Sequence, residues 1–235
     1  MKSWIEFWDS GPAIYVSDRH KQLHAEAIAH DIMRYVPAAD AIVLDYGCGE
    51  ALYAEAVAAR CGRLILCEAA PNVRRALARR LERVPNISVL APDGVAALVG
   101  GSLDLVVANS LVQYLSREEL SSLLEVWRSK LKAGGTLVVA DVIRPDTGPH
   151  VDAAALLRFA WRGRFLLPAL AGLARTALSD YGRLRRNAGF STYREAEMLA
   201  LLAAHGFAAE RVRPNFGHNQ ARMTFRAVPA PNPRL

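Results

Sequence analysis

The segment from residue 41 to residue 51 constrains the fold more than any other stretch, and it reads Ala-Ile-Val-Leu-Asp-Tyr-Gly-Cys-Gly-Glu-Ala. An apolar run that ends on an acid, then Gly-x-Gly, then helix-forming residues up to Arg60 predicts a strand, a tight turn and a helix. Glycine at 47 and 49 permits positive φ angles and lets a ligand approach bare main chain. Because N–H groups at the start of a helix attract negative or polar groups, the turn predicts a site for a nucleotide-like or carboxylate-bearing ligand.

The alternation of strand and helix continues along the chain. Further strands are predicted at 63–68, 87–90, 103–108 and 136–143, and helices at 18–35, 71–83 and 116–131. A last helix at 193–205 and two strands at 207–213 and 221–227 follow. Continuously apolar strands that alternate with helices form a mostly parallel sheet covered on both faces, so the predicted fold class is α/β.

Four polar residues stand where predicted strands end. They are Asp45, Glu68, Asp93 and Asn109, which follow the first, second, third and fourth strands. Ligands of such sheets bind beyond the carboxyl ends of the strands, where the strand order reverses. We therefore expect these four side chains to converge on one crevice.

The composition is typical of a globular protein. The chain has 235 residues, of which 52% are hydrophobic and 22% charged, which excludes wholesale disorder and suits one α/β domain. The net charge of +6 leans toward acidic ligands or surfaces, although solubility alone also explains it. Three cysteines without metal-ligand spacing, no export signal and no apolar run of membrane-spanning length predict a cytoplasmic protein without a transmembrane segment.

Two flanking segments have unusual composition. Residues 1–38 carry Trp4, Phe7, Trp8 and Tyr15, which either pack on the sheet or cap a pocket. Residues 150–190 are apolar and rich in arginine. This insertion is interpreted as a lid, with a homodimer face or contact with an anionic membrane surface as alternatives. The proline-rich tail from Pro229 onward is expected to be unstructured.

The chain resembles the class I S-adenosyl-L-methionine-dependent methyltransferases. Asp45, Gly47 and Gly49 match their first motif, with Ala51 where a third glycine is common, and the resemblance covers about residues 40–145 and, more loosely, the last two strands. It implies a Rossmann-like three-layer sandwich with a seven-stranded, mostly parallel sheet and an antiparallel last strand. The expected division of this single domain is a cap at 1–38, a cofactor core at 40–145, an insertion at 150–190 and a closing helix and hairpin at 191–228.

The resemblance also implies roles for individual residues. Gly47 and Gly49, with Cys48 between them, would line the methionine part of S-adenosyl-L-methionine, and Asp45 would place its amino end. Glu68, with Ala69 beside it, would accept hydrogen bonds from both ribose hydroxyls. Asp93 and Gly94 would face the adenine, and Asn109 would border the transferable methyl group. A turn or helix cap remains an alternative role for Asp93, as does a plain turn for Asn109.

Competing functions remain open at this stage. An NAD-binding Rossmann domain would want a third glycine where Leu52 stands. A cofactor-binding subunit without turnover is a second alternative, although the three acids Asp45, Glu68 and Asp93 are all present. The expected acceptor is a small or medium organic molecule, partly apolar and with an anionic group as an option. Lipid or quinone, peptide and RNA acceptors are alternatives, and no nucleic-acid partner is expected because no such module is visible.

The chemistry needs little from the protein. A sulfonium already carries an activated methyl group, so the enzyme must align the acceptor and exclude water. Tyr15, His20, His150 and His218 are candidates for a general base, none stands in a diagnostic motif, and no catalytic residue is assigned. Asp141 falls inside the predicted fifth strand, which argues against clustered acids for a metal ion, and no metal site is predicted.

Overall fold

The computed structural model describes residues 4–11, 14–178 and 189–231, and no side chains of 175–178. Its described strands form one seven-stranded sheet in the order β3-β2-β1-β4-β5-β7-β6. They are β1 Ile42–Tyr46, β2 Arg63–Cys67, β3 Ile87–Leu90, β4 Leu103–Asn109, β5 Leu131–Val142, β6 Phe207–Val212 and β7 Met223–Pro229. The first five strands pair in parallel, and β7 runs antiparallel to β5 and β6. The predicted α/β, Rossmann-like fold is confirmed.

Helices cover both faces of the sheet. On one face lie α2 Asp18–Met33, α3 Ala54–Ala58 and α4 Pro71–Leu81, and on the other α5 Pro92–Ala96, α6 Arg117–Lys130 and α9 Glu195–Ala204. Outside these layers are α1 Trp4–Asp9, a 3-10 turn at Val112–Tyr114, and the helical pair α7 Pro149–Gly163 and α8 Leu166–Leu178. Side chains alternate between the two faces along a strand, so neighbours such as Val43 and Leu44 belong to different apolar clusters.

Local sequence explains where several elements begin. The Ser116 hydroxyl accepts from the Glu119 N–H at 3.1 Å and the Glu119 carboxylate accepts from the Ser116 N–H at 2.7 Å, the predicted capping box of α6. Trp127 on the same helix is fully buried and packs edge-on against Tyr46 of β1 at 5.3 Å. This contact fixes α6 across the carboxyl end of the central strand.

Several predicted boundaries were wrong. The helix after the glycine turn begins at Ala54 instead of Ala51, because Ala51 has φ 40° and cannot be helical. The segment around Asp93, predicted as a turn, is the short helix α5, which Pro92 opens because its fixed φ suits a first helical position. Strand β5 begins at Leu131, because this residue already pairs with Leu103 of β4.

The two flanking segments are helical where they are described. Helices α7 and α8 enclose a small apolar cluster of Ala160, Phe165 and Ala169, against which Leu23 of α2 packs. The predicted insertion continues to residue 190, and its residues 179–188 lie outside the described part, as do 232–235 of the tail. Pro229 belongs to β7, so the tail begins one residue later than predicted.

Candidate active site

A cavity of about 1420 Å³ opens at the carboxyl ends of β1, β4 and β5. Strand order reverses between β1 and β4, so this is the crevice expected for the fold. Ligand pockets usually measure roughly 300–1,000 Å³. The cavity therefore has room for two molecules side by side.

The glycine turn forms one end of the cavity. Gly47 and Gly49 have φ of 77° and 58°, and the N–H groups of Gly47 and Cys48 donate to the carbonyl of Cys67 at 2.8 and 3.1 Å. The positive φ of Gly47 requires glycine, and a Cβ there would also crowd a methyl carbon of Leu111 at 3.0 Å. The Cys48 thiol stays within the turn, 3.7 Å from the Gly49 carbonyl, and burial raises its pKa well above the usual value.

Glu68 holds this turn against the second strand. Its two carboxylate oxygens accept from the N–H groups of Gly49 at 2.9 Å and Ala70 at 2.8 Å, and the side chain is buried. Each carboxylate oxygen has two lone pairs, so each can accept one more hydrogen bond from a ligand. Glu68 and Ala69 line the cavity as predicted.

Asp45 lies beside Glu68 and lines the same end of the cavity. Burial, and then the neighbouring Glu68 carboxylate, raise the pKa of Asp45 to about 7. Among the described residues none donates a hydrogen bond to its carboxylate. A buried carboxylate without a donor is costly, and a cationic ligand group placed beside it would relieve that cost.

Two arginines of α4 donate hydrogen bonds to backbone carbonyls at this end of the cavity. The Arg74 guanidinium donates to the carbonyls of Glu68 at 2.7 Å and Ala69 at 2.9 Å. Arg80 donates to the carbonyls of Glu50 and Ala51, both at 2.7 Å. Arg74 is partly buried, whereas Arg80 is exposed even though its guanidinium turns back to the loop.

Asp93 and Gly94 lie at the edge of the site. The Asp93 side chain is exposed and accepts from the N–H of Gly94 at 2.9 Å, while the adjacent Pro92 lines the cavity. Neither Asp93 nor Gly94 is among the described lining residues. In this conformation the Asp93 carboxylate accepts a backbone N–H in the first turn of α5, whose N-cap is Ala91 without a side-chain hydrogen bond.

Asn109 ends β4 and lines the middle of the cavity. Its side-chain oxygen Oδ1 is buried and has no partner among the described residues. The next residue, Ser110, has φ 51°, and its hydroxyl donates to Asp141 at 2.6 Å. The strand exit is thus held in an uncommon backbone conformation beside the cavity.

Asp141 begins a charged network at the second end of the cavity. Its carboxylate accepts from the Arg222 guanidinium at 2.6 Å, and Arg222 also reaches Asp152 at 3.3 Å. These carboxylates raise the pKa of Arg222 and keep it charged although it is largely buried. The Asn215 amide oxygen accepts from the Asp141 N–H at 3.2 Å and the Thr224 hydroxyl at 2.7 Å, which ties the loop before β7 to the end of β5.

Three histidine rings meet at this second end. The ring centroids of His24 and His218 are 5.6 Å apart, and those of His20 and His218 are 6.0 Å apart. Phe159 stacks on His218 at 4.6 Å and Phe165 stacks on His20 at 5.2 Å. Burial lowers the pKa of His20 to about 4, that of His218 to about 3 and that of His24 below its usual value. All three histidines are therefore neutral at neutral pH.

Aromatic residues from the chain start close the cavity from outside. Trp4 packs on Tyr114 at 4.6 Å and Trp8 on Tyr114 at 5.7 Å, and all three line the cavity. Tyr15 lines it too, and burial raises its pKa to about 12, so it is a protonated hydroxyl. Asp9 binds the first turn of α4, where its carboxylate accepts from the Asn72 side chain at 2.7 Å.

Three of the four candidate bases lie at the cavity. Tyr15, His20 and His218 line the cavity, and His150 does not, since it is exposed in the first turn of α7. Sequence reasoning missed His24, although His20 and His24 are one helical turn apart and such residues share a face. It placed Asp141 inside the fifth strand, as the structure does, but missed that this residue lines the cavity.

Two further predictions concern metals and the insertion. Within residues 4–11, 14–178 and 189–231 no group of three His, Cys, Asp or Glu side chains could hold a metal ion. The described arginines of the insertion that expose their side chains to solvent instead of the cavity are Arg158, Arg162 and Arg164. They therefore give no support to an anionic acceptor inside the pocket.

A protein-family model matches the central part of the chain. Residues 43–135 match the model of the methyltransferase domain, and this segment includes the glycine turn, Glu68 and Asn109. The match covers less than half of the chain. With the sheet described above, it supports the resemblance to S-adenosylmethionine-dependent methyltransferases that the sequence predicted.

Solved structures of low sequence identity share the fold. The YcgJ protein of Bacillus subtilis has a TM-score of 0.60 at 11% identity, over 89% of this chain and all 100% of its own. Magnesium protoporphyrin IX methyltransferase of Synechocystis PCC 6803, with bound SAH, has a TM-score of 0.54 at 15% identity, over 98% and 89% of the two chains. Phosphoethanolamine N-methyltransferase 1 of Haemonchus contortus, in complex with phosphoethanolamine and S-adenosylhomocysteine, has a TM-score of 0.51 at 22% identity, over 62% of this chain and 32% of its own. No curated protein matches the sequence.

Proposed function

We propose that the chain is an S-adenosyl-L-methionine-dependent methyltransferase that transfers a methyl group directly to a small or medium, partly apolar organic acceptor. One observation carries the proposal: a single cavity joins a glycine turn with two carboxylates to a separate end with aromatic and imidazole side chains. The two ends suit a charged nucleotide and an organic acceptor respectively. Solved neighbours in complex with SAH support the same cofactor.

The residues at the glycine turn fit S-adenosyl-L-methionine. Asp45, which lacks a donor, would hold the amino group, and the Glu68 carboxylate would accept from the ribose hydroxyls. Gly47, Cys48 and Gly49 would present bare backbone to the methionine part. The cofactor supplies an activated methyl group on a positive sulfur.

The remaining predicted contacts are part of the same proposal. Ala69, beside Glu68, would border the ribose, and Asn109 would direct its unpartnered oxygen toward the reacting carbon. Asp93 and Gly94 would reach the adenine from the edge of the cavity after Asp93 leaves the Gly94 N–H. These assignments rest on position at strand exits and on the family resemblance.

The domain division is proposed in the same way. The aromatic segment at 1–38 would cap the acceptor, the core at 40–145 would hold the cofactor, and 191–228 would close the sheet. Removal of residues 1–11 should leave cofactor affinity within about twofold and abolish turnover, because Trp4 and Trp8 border the acceptor end. Unchanged turnover would show that this segment is not a cap.

Calorimetry with SAH, S-adenosyl-L-methionine and NAD tests the proposal. We expect both sulfur nucleotides to bind with one site per chain, Glu68→Gln to weaken SAH at least tenfold, and NAD to give no heat. The amide of Glu68→Gln keeps one acceptor oxygen but turns an NH₂ group toward backbone N–H donors or ribose hydroxyls. Absence of SAH binding by the folded wild-type chain would overturn the proposal, as would preferential binding of NAD.

A lipid or quinone acceptor at a membrane surface is a second candidate, and one surface favours it. Trp161 is 74% exposed and Leu167 79% exposed on α7 and α8. The exposed Arg158, Arg162 and Arg164 flank them, and residues 153–174 contain no acid. Apolar side chains ringed by arginine suit an anionic bilayer. Within the described residues no helix is long and apolar enough to cross a membrane.

Vesicle co-sedimentation separates the two candidates. The membrane version predicts binding to vesicles with 30% anionic lipid, little binding to neutral vesicles, and loss of binding in Trp161→Ala and Arg162→Glu. Arg60→Glu, at an exposed position after α3, is the matched charge control. Equal recovery of wild type and Arg162→Glu would remove this candidate. A homodimer and a cytoplasmic location stay predictions.

A further inference from the structure

The second end of the cavity has an unexpected charge balance for a chain of net charge +6. Among the described residues two cations line the cavity, and both are ion-paired: Lys21 with Glu50, and Arg222 with Asp141 and Asp152. The three imidazoles at this end are neutral. No described cation is therefore left to receive a negative ligand group.

An anionic acceptor would be repelled here. A carboxylate or phosphate that enters the second end loses its water and meets the Asp141 and Asp152 carboxylates, and Arg222 is already paired with both. Burial of a charge without a partner is strongly unfavourable. An uncharged acceptor avoids that cost, and the neighbouring aromatic rings of Tyr15, Phe159 and His218 suit an apolar body.

Two histidines at this end have unused hydrogen-bonding capacity. No described residue forms a hydrogen bond with the imidazole of His24 or His218, and both rings line the cavity. The Nδ1 atoms of both are buried, so a ligand would meet the other ring nitrogen, Nε2. A hydroxyl group can engage both rings, because it donates one hydrogen bond and its oxygen accepts another, and Nε2 of a neutral imidazole is an acceptor in one tautomer and a donor in the other.

His24 is better placed than His218 to hold a positive charge after it gains a proton. The Asp141 carboxylate acts favourably on a protonated His24, whereas Arg222 acts against it. His218 faces Arg222, His20 and His24, which all oppose its protonation, and only Asp152 favours it. Asp141 also lies at the exit of β5, on the cofactor side of the network, through its contact with Ser110.

We propose that this end of the cavity binds an acceptor that is uncharged on entry and carries a hydroxyl group on an aromatic or apolar body. The Nε2–H of His218 donates a hydrogen bond to the hydroxyl oxygen, and Nε2 of His24 accepts the hydroxyl proton during methyl transfer. The inference deepens the proposed function and rests on it.

Methyl transfer forms one bond, breaks one bond and moves one proton. A lone pair of the acceptor oxygen forms the new O–C bond to the methyl group, and the S–C bond breaks with its electron pair left on sulfur. The sulfonium becomes a neutral thioether. The hydroxyl proton moves to Nε2 of His24, which becomes imidazolium beside Asp141 and later releases the proton to water.

The weak basicity of a buried imidazole decides between a hydroxyl and an amine. An aliphatic amine enters as an ammonium ion that has no lone pair for attack until it is deprotonated, and a weak base cannot do that efficiently. A hydroxyl oxygen keeps its lone pairs while protonated. Its proton becomes strongly acidic as the C–O bond forms, so a weak base is sufficient at that moment.

Three probes that share a naphthalene body and differ in charge test the preference. They are 2-naphthol, 2-naphthoate and 2-naphthylmethylamine, and each is titrated into the SAH-loaded protein at pH 7. We expect 2-naphthol to bind at least tenfold more tightly than 2-naphthoate and than the amine. His24→Gln and His218→Gln should each weaken 2-naphthol at least fivefold. His30→Gln, an exposed position on the same helix, is the matched control and should change nothing.

Several results would overturn the inference. They are equal or tighter binding of 2-naphthoate or the amine, no binding of 2-naphthol, or 2-naphthol affinity that His24→Gln and His218→Gln leave unchanged. SAH affinity measured in the same samples separates the two proposals. Loss of SAH binding by wild type contradicts the proposed function, whereas normal SAH affinity with a reversed probe order contradicts this inference alone.

Discussion

Protonation of Asp45 should weaken cofactor binding in a narrow pH range. The carboxylate has a pKa of about 7 in the free protein, and its ionised form would pair with the amino group of SAH. If only the ionised form binds well, the fraction competent to bind falls from most of the protein at pH 7.5 to about a tenth at pH 6. The dissociation constant should rise about eightfold, or about 1.2 kcal/mol, since tenfold corresponds to about 1.4 kcal/mol.

Calorimetry at pH 6.0, 6.5, 7.0 and 7.5 measures this change. The pKa of His20 is about 4 and that of His218 about 3, so neither ring titrates in the window. Asp45→Asn, which cannot ionise, should bind SAH weakly and with the same constant at every pH. A wild-type constant that stays level from pH 6.0 to 7.5 would refute the reasoning.

Asp45→Asn should weaken cofactor binding but raise the stability of the cofactor-free protein. Because burial raises the pKa of Asp45 above its unfolded value of 3.8, ionisation costs stability, and that cost grows as pH rises from about 4 to about 7. Without cofactor, Asp45→Asn should therefore melt at a higher temperature than wild type, by a larger margin at pH 8 than at pH 5. A margin that shrinks with rising pH would contradict the account.

Further substitutions test the turn, its support and the core. Gly47→Ala should weaken SAH more than tenfold, and Leu111→Ala in the same chain should restore only part of the loss, since space is regained but the positive φ remains; full recovery would contradict this. Arg80→Ala should weaken SAH a few-fold at unchanged melting temperature, whereas Arg79→Ala, one position away and exposed, should do nothing. Trp127→Ala should cost about 3–5 kcal/mol in urea unfolding, and a cost below about 1 kcal/mol would show that its burial is unimportant.

Strands were predicted well because their signal is local. Ile87–Leu90 has the predicted bounds and Arg63–Cys67 ends one residue before the predicted end, since each is a short apolar run between turn residues. The glycine turn was recognisable for the same reason. Its helix was misplaced by three residues, because a positive φ at Ala51 depends on contacts with the rest of the site and not on helix propensity.

The acceptor end could not be predicted in the same way. Asp141 and Arg222 are 81 residues apart and meet only after β7 has paired with β5. His218 stands in a loop with no periodicity, and its stacking partner Phe159 comes from the insertion. Strand-exit logic locates the cofactor end, whereas the acceptor end depends on side-chain contacts between distant segments.

A crystal structure of the complex with SAH tests the central claim most directly. The account predicts the ribose hydroxyls within about 3 Å of the Glu68 carboxylate oxygens and the amino group at the same distance from Asp45. It also predicts the SAH sulfur directed toward Asn109 and the histidines. SAH bound elsewhere in the chain, or in this cavity with its ribose directed away from Glu68, would contradict the account.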